Sequence, residues 1–153
     1  MNAALATDAD AESWLELVRE VEPLFGLMPG FEEILVRKIG QRAAFCVRSD
    51  LIGDSRVLGG ILIGGTPMHG WIRWLAVRSS GRGRGVGRCL LAKAIEHFPP
   101  PATVSLDTFR EENSEGRPAW RLYQRMGFQP GPLVLVEGRP RQRYILRRRD
   151  IGT

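Results

Sequence analysis

The chain has 153 residues, of which 43% are hydrophobic and 25% are charged, and its formal net charge at pH 7 is +5. This length and composition are typical of one globular domain, so we expect residues 1–153 to form a single domain. The sequence contains no apolar run near the ~20 residues that span a bilayer, and its first residues do not resemble a signal peptide. Its two cysteines, without a C-x-x-C pattern or a Cys/His cluster, predict neither a disulfide framework nor a zinc site. We therefore expect a cytoplasmic protein that binds no metal and no membrane.

The charged residues are unevenly distributed along the chain. Residues 1–33 contain eight acidic side chains and a single basic one, Arg19, whereas residues 34–153 contain 21 basic and nine acidic side chains. An anionic ligand would suit the basic part and a cationic ligand the acidic part. For any single charge, the alternative of an ordinary solvated face stays open.

The first forty residues predict two helices. Thr7 and Asp10 match a capping box, and the apolar residues after them recur at helical spacing, which predicts a first helix near 9–21. We expect Pro23 to end this helix, because proline cannot donate a backbone hydrogen bond. A second, shorter helix is predicted over 31–39.

The middle of the chain predicts strands. Runs of β-prone residues indicate strands over 43–48, 56–63 and 71–77, the first two joined as a hairpin. The pair Gly59-Gly60 inside the second of these strands indicates a bulge or the close approach of another backbone.

The remainder of the chain alternates between helix and strand and ends in a hairpin. The predicted elements are a helix over 85–98, a strand over 103–109, a helix from Pro118 to Gly127, and hairpin strands over 133–136 and 142–147. The resulting order is ααβββαβαββ, with no strand before the first helix.

A glycine-rich turn separates the predicted strand 71–77 from the helix that follows it. Four glycines stand at alternate positions, Gly81, Gly83, Gly85 and Gly87, with arginines among them. Glycine lets backbone N–H groups approach a ligand, and the first N–H groups of a helix have no intrahelical partner. The helix dipole and the arginines favour an anion at the same place. The pattern therefore predicts a phosphate or pyrophosphate site, although it matches neither the G-x-G-x-x-G fingerprint nor the P-loop.

Two motifs carry a resemblance to a known family. Arg82-Gly-Arg-Gly85-Val-Gly87 fits the pattern Arg/Gln-x-x-Gly-x-Gly/Ala, and residues 75–91 resemble the central acyl-CoA-binding motif of the GCN5-related N-acetyltransferase (GNAT) family. Residues 117–128, Arg-Pro-Ala-Trp-Arg-Leu-Tyr-Gln-Arg-Met-Gly-Phe, are similar to the A-x-x-L-Y-x-x-x-G-F helix of the same family.

The resemblance implies a fold. It is the α/β (α+β) acyl-CoA N-acyltransferase fold, with a mixed, mostly antiparallel central sheet, splayed middle strands and helices on both faces. The family usually has a strand before the first helix, for which residues 1–7 offer little.

The resemblance also implies roles for individual residues in the transfer of an acetyl group from acetyl-CoA to a primary amine of a small molecule or peptide. The backbone of Leu75, Ala76 and Val77 would align the pantetheine arm and polarise the thioester carbonyl. Tyr123 would act as general acid, giving a proton to the leaving coenzyme A thiolate. Asn113 is a further candidate for contacting the cofactor, although Gly116 occupies the family's usual asparagine position. The residues whose N–H groups would wrap the pyrophosphate are Arg82, Gly83, Arg84, Gly85, Val86, Gly87 and Arg88.

The general base and the acceptor are left open by the sequence. Some members of the family use a carboxylate on the strand that matches 71–77, but this strand contains Arg73 and no acid. The alternatives are Glu32, Glu33, Asp107, His69 or a chain of waters. The acceptor pocket implied by the resemblance consists of Leu24, Phe25, Met28, Phe31 and parts of 131–144.

Two other functions compete with catalysis. One is an acyl-CoA-binding sensor without turnover, which the missing strand carboxylate would suit. The other is nucleic-acid binding, suggested by a sequence pI of about 10.0 and by the arginines of 139–149. The apolar residues Tyr144-Ile-Leu146 interrupt those arginines, so a closing strand explains them better and we do not expect nucleic acid as a partner. The oligomeric state stays open between a monomer and a homodimer.

Overall fold

The computed structural model describes residues 1–108 and 117–149. Within these residues the strands are β1 (Ala3–Leu5), β2 (Ala44–Arg48), β3 (Val57–Thr66), β4 (His69–Val77), β5 (Ala102–Thr108), β6 (Gln129–Val136) and β7 (Arg139–Arg148). The helices are α1 (Ala11–Phe25), α2 (Phe31–Gly40), α3 (Val86–Glu96) and α4 (Arg117–Arg125). None of these helices is long and apolar enough to cross a membrane.

The strands form one seven-stranded sheet in the order β1-β2-β3-β4-β5-β7-β6. Strands β4 and β5 pair in parallel, whereas β1–β2, β2–β3, β5–β7 and β6–β7 are antiparallel. The predicted mixed, mostly antiparallel sheet is therefore confirmed. The chain divides into two compact units, the first made of 1–63 and 74–94 and the second of 64–73 and the described residues from 95 onward.

The first unit begins with the capping box that the sequence predicted. The Thr7 N–H donates to Asp10 Oδ2 at 2.8 Å. Asp10 is buried and also accepts hydrogen bonds from Arg48 of β2, at 2.8 Å from Nε and 2.6 Å from Nη2. Burial alone raises the pKa of the Asp10 carboxyl, but the hydrogen bonds from Arg48 and Thr7 outweigh it and hold the pKa below its usual range. The start of α1 is thus tied to β2 by an ion pair.

Helices cover both faces of the sheet in the first unit. Adjacent strand residues point to opposite faces. Gly60 of β3 lies against the Trp14 ring of α1, and a Cβ on Gly59 would lie 2.7 Å from Val86 Cγ1 of α3. Gly59 and Gly60 both pair with β2, and the bulge lies beside them, at Leu58, which the register shift leaves without a partner. The groups that approach the two glycines closely are mostly side chains, with the Ala76 carbonyl oxygen as the backbone atom among them.

The second unit is built around β5 and its antiparallel partner β7. Their register runs from Ala102↔Arg148 to Thr108↔Gln142, and β6 pairs on the other side of β7. The first three residues of β4 pair with Thr103–Ser105 of β5. The splaying of these two strands further along stays a prediction.

Three sequence expectations about elements were wrong. A strand, β1, does precede the first helix: it pairs with β2, and the Ala6 N–H continues the pairing to Ala44 O at 2.9 Å. This pairing depends on the open edge of β2 rather than on the β propensity of Ala3–Leu5. Helix α1 also continues through Pro23, because a proline in the last turn removes only its own hydrogen bond. The final hairpin strands are longer than predicted, since the pairing of β7 with β5 and with β6 extends past their apolar residues.

Candidate active site

The end of β4 is anchored to neighbouring elements of the first unit. The Arg78 N–H donates to Leu58 O at 2.6 Å, and its guanidinium donates to Val57 O at 3.0 Å and to Ser13 O at 3.1 Å. Ser79 donates to the Glu20 carboxylate through its N–H and its hydroxyl. A short 3-10 turn, Ser79–Gly81, follows. The glycine-rich turn therefore starts from a fixed position beside α1.

Two glycines of the turn adopt a left-handed backbone. The φ angles are +73° for Gly83 and +82° for Gly85, a region in which side chains are rarely found. Nothing lies within 4 Å of the position that a Cβ would take on either residue. The chain thus requires glycine here for its backbone conformation, and the space beside both residues is open to a ligand.

The turn presents a series of unpartnered backbone donors. The first helical bond of α3 runs from the Cys89 N–H to Gly85 O at 3.0 Å. In the described part of the chain, no hydrogen bond uses the N–H groups of Gly83, Arg84, Gly85, Val86, Gly87 or Arg88. The Arg82 N–H, in contrast, lies 3.3 Å from Ser79 O. Donors at a helix N-terminus, where the dipole is positive, suit an anion with several oxygens.

The arginines of the turn add positive charge that is largely free. Arg82, Arg84 and Arg88 are exposed. Arg84 lies 3.6 Å from the exposed Asp50 carboxylate, and among the described residues Arg82 and Arg88 take part in no ion pair. Open space, free N–H groups and guanidinium groups together fit the pyrophosphate of an acyl-CoA.

The residues predicted to align the pantetheine arm lie at the end of β4. Ala76 is buried, and Leu75 and Val77 are half-buried. The Ala76 carbonyl oxygen lies 3.0 Å from the place of a Cβ on Gly59. Their pairing with a ligand stays a prediction.

Tyr123 lies on α4 in the second unit, with 6% of its surface exposed. Its ring packs on Tyr144 at 5.8 Å and on Phe128 at 6.1 Å between centroids. Burial raises the pKa of the Tyr123 phenol well above its usual value, and Tyr144 adds to this effect. No described hydrogen bond uses the Tyr123 hydroxyl. The side chain therefore keeps its proton at neutral pH, as a proton donor must.

The other predicted polar candidates do not provide a free, buried base among the described residues. Both Asp107 oxygens accept hydrogen bonds from Arg143, at 2.8 and 3.1 Å. His69 is exposed, with Nδ1 3.2 Å from Thr103 Oγ1, and Glu32 and Glu33 are exposed on α2. Asn113 and Gly116 lie outside the described residues. No group of His, Cys, Asp and Glu side chains in the described ranges could hold a metal ion.

Three of the apolar residues assigned to an acceptor pocket, Phe25, Met28 and Phe31, contact a tryptophan that the sequence analysis missed. The Trp74 ring lies 5.9 Å from Phe25 and 5.1 Å from Phe31, and its indole N–H donates to Met28 Sδ at 3.3 Å. An open groove of about 890 Å³ lies between α1 and α2 beside Met28 and Phe31, with Glu22, Glu32 and Glu33 in its lining. Trp74 follows Arg73 in a predicted strand, and a large aromatic residue at that position was the feature of the sequence that could have indicated its place among these apolar residues.

The sequence and the fold were compared with known proteins. The sequence profile of the acetyltransferase (GNAT) domain matches residues 40–130. Among curated proteins, none matches the chain in sequence.

Many solved structures share the fold. A GNAT-family acetyltransferase from Bacillus cereus is 18% identical, with a TM-score of 0.73 over 97% of this chain and 98% of that one. A chain of the NatC complex is 21% identical, with a TM-score of 0.72 over 96% and 99%. Arabidopsis thaliana NAA60 is 19% identical, with a TM-score of 0.69 over 94% of each chain.

The profile match covers more than half of the chain, including the whole glycine-rich turn and Tyr123. The fold agrees along nearly the full length of the aligned structures. The chain therefore belongs to the GNAT family of acetyltransferases.

Proposed function

We propose that this protein is an N-acetyltransferase that moves the acetyl group of acetyl-CoA directly to a primary amine of a small molecule or peptide. The observation that carries the proposal is the glycine-rich turn, with its open left-handed glycines and six unpartnered N–H groups at the start of α3. The N–H groups of Gly83–Arg88 hold the pyrophosphate, and the exposed arginines neutralise its charge.

In the proposed reaction the amine nitrogen forms a bond to the thioester carbon and the carbon–sulfur bond breaks. One N–H group of Leu75–Val77 polarises the thioester carbonyl, as the family resemblance implies. The proton on the Tyr123 oxygen goes to the departing thiolate, and the amine gives up a proton to water or to a base. A proton from water then restores the Tyr123 phenol, so no net proton is gained or lost by the enzyme. The resemblance of residues 117–128 to the family's helix motif supports this role, and a phenol is protonated at neutral pH even at its usual pKa of about 10.

Two of the aligned structures indicate candidate acceptors. The NatC structure is bound to a Gag peptide and CoA, and the NAA60 structure is in complex with a bisubstrate analogue. At these identities the likeness concerns the fold, so from these structures we extend only CoA and a peptide, as candidate ligands, to this chain. We place the reaction in the cytoplasm, since the chain has only two cysteines, neither of them in a disulfide.

A sensor that binds acyl-CoA without turnover is the second candidate. Strand β4 contains no carboxylate, and Asp107 on β5 is already engaged by Arg143. Such a protein would keep the glycine-rich turn and would need no general base.

Calorimetric titration with acetyl-CoA, coenzyme A and a short RNA at moderate salt tests the proposal, followed by thiol release with a panel of amines and peptides. We expect acetyl-CoA to bind and at least one amine to release thiol. Binding without release for any acceptor would favour the sensor. Salt-sensitive RNA binding without acetyl-CoA binding would overturn both.

A further inference from the structure

Four side chains of the second unit lie together on one face of the sheet. They are Trp71 and Arg73 of β4, Asp107 of β5 and Arg143 of β7, here called the arginine–tryptophan cluster. The residues that alternate with them are buried: Gly70, Ile72, Val104, Leu106, Gln142 and Tyr144. Because side chains alternate along a strand, the cluster occupies the face opposite to this buried layer.

Arg143 is held in place from two directions. Asp107 stands directly opposite Arg143 in the β5–β7 register, and its carboxylate takes two hydrogen bonds from the guanidinium. The same guanidinium lies 4.8 Å from the centre of the Trp71 ring. The charge of the Arg143 guanidinium is therefore already paired with a carboxylate, and one of its faces is covered by the ring.

Arg73 differs from Arg143 in this respect. Its guanidinium lies 5.0 Å from the centre of the Trp71 ring, so the ring holds it as well. Yet the Arg73 side chain is exposed, and among the described residues it forms no ion pair. Stacking restricts the side chain before a ligand arrives, which lowers the entropic cost of binding.

The charges of these four side chains favour a ligand with a single negative charge. Asp107 offsets one of the two arginines, which leaves a net charge of +1, and it is the only carboxylate in the sequences of β4, β5 and β7. A carboxylate supplies one negative charge and two oxygens for the fork of a guanidinium. A phosphate monoester would bring a charge of about −1.5 to −2, which this cluster does not balance.

We propose that Arg73 binds a carboxylate of the acceptor, so that the amine comes from an amino acid or from a peptide with a free carboxylate. This inference rests on the proposed function, in which Leu75 is the first residue assigned to the acyl donor. Arg73 precedes Leu75 by two positions on the same strand. Trp71 positions the Arg73 guanidinium, and the Arg143–Asp107 pair supports Trp71.

The test compares acceptors that differ only in the carboxylate. The first pair compares amino acids with amino-acid amides. The second compares tripeptides that end in a free acid with their C-terminal amides. The third compares tripeptide amides that contain glutamate with the same peptides containing glutamine. These three pairs distinguish an α-carboxylate, a chain-terminal carboxylate and a side-chain carboxylate. The proteins are the wild type, Arg73→Gln, Arg73→Lys and, as a matched control, Arg125→Gln, which removes an exposed arginine from α4.

We expect wild type to use the acid of at least one pair with a kcat/KM about ten- to a hundredfold above that of its amide. Arg73→Gln should reduce this ratio to about twofold or less, because kcat/KM should fall for the acid and stay the same for the amide. Arg73→Lys should retain part of the preference for the acid. Acetyl-CoA affinity should be unchanged in every variant. An equal preference in wild type and Arg73→Gln, or no preference in wild type, would overturn the inference.

A second readout does not depend on turnover. The indole N–H resonance of Trp71, identified by its absence in Trp71→Phe, is followed during titration with the same tripeptide pairs and with a short RNA. The carboxylate site is supported if the acid shifts the resonance, the amide does not, and the shift is lost in Arg73→Gln. If this result is obtained but no acceptor is acetylated, only the proposed function fails. A shift caused by RNA alone, or no shift at all, overturns the site.

Discussion

Gly60 of β3 lies against the indole ring of Trp14 of α1, so closely that a Cβ at Gly60 would overlap three of its ring atoms. Trp14 is fully buried, and its Nε1 is the buried side-chain nitrogen that lacks a partner among the described residues. The missing side chain of one residue thus provides the space for the largest fully buried side chain in the described part of the chain. This contact determines how closely α1 approaches the sheet, and it yields the first of four predictions.

Replacing Gly60 with alanine should destabilise the protein by about 1–3 kcal/mol, because the added methyl group overpacks a site bounded by a rigid ring. The measurement is the free energy of unfolding in urea. Gly40→Ala is the matched control, because Gly40 ends α2 and nothing lies within 4 Å of its Cβ position. The free energy of unfolding of this variant should stay within about 1 kcal/mol of the wild-type value or rise. Equal effects of the two substitutions would contradict the assigned role of the Trp14 contact.

Gly85→Ala should weaken acetyl-CoA binding by at least about tenfold, since a side chain at a φ of +82° strains the turn and displaces its N–H groups. Calorimetry measures the Kd. Gly53→Ala is the control, because Gly53 has a φ of +79° and equally open surroundings in a different turn. Both variants should lose similar stability, about 1–2 kcal/mol, but only Gly85→Ala should lose affinity. A similar Kd for the two would remove the turn from the binding site.

Tyr123→Phe should lower kcat by about a hundredfold or more while acetyl-CoA affinity changes little, because the phenyl ring preserves the packing and only the proton donor is lost. Thiol release measures kcat and calorimetry measures affinity. Tyr144→Phe serves as comparison, as it removes the other tyrosine hydroxyl and should affect mainly stability. If Tyr123→Phe turns over an accepted amine as fast as wild type, Tyr123 has only a packing role.

Asp10→Asn should cost about 1–2 kcal/mol of stability near pH 7, since it breaks the ion pair with the partly exposed Arg48 and leaves the capping box weakened. The folded pKa of Asp10 is lowered, so this contribution is present above the unfolded value of about 3.9 and is lost as the pH falls below it.

Urea unfolding of wild type and Asp10→Asn at a series of pH values measures the difference, which should shrink below about pH 4. Asp50→Asn is the control, because the exposed Asp50 carboxylate lies 3.6 Å from the exposed Arg84, and its loss should change stability little. A pH-independent difference for Asp10→Asn would show that the carboxylate charge does not matter.

The sequence predicted the turn more successfully than it predicted the elements around it. The predicted helix α3 does begin directly after the turn, and the structure adds that Gly83 and Gly85 adopt a left-handed backbone. Pro23, in contrast, did not end α1, and Ala3–Leu5 formed a strand despite a sequence with little β propensity. In both cases packing or a free strand edge outweighed the local preference.

The chain by itself determined the character of the glycine-rich turn, because backbone freedom, unpartnered helix donors and arginine charge all belong to contiguous residues. The tertiary structure alone decided the surroundings of Trp74 and the arginine–tryptophan cluster. Asp107 and Arg143 are 36 positions apart, and only the β5–β7 register places them opposite each other. Whether a charged side chain is neutralised or left free depends on such long-range neighbours, so the sequence could show that Arg73 exists but not that it is available.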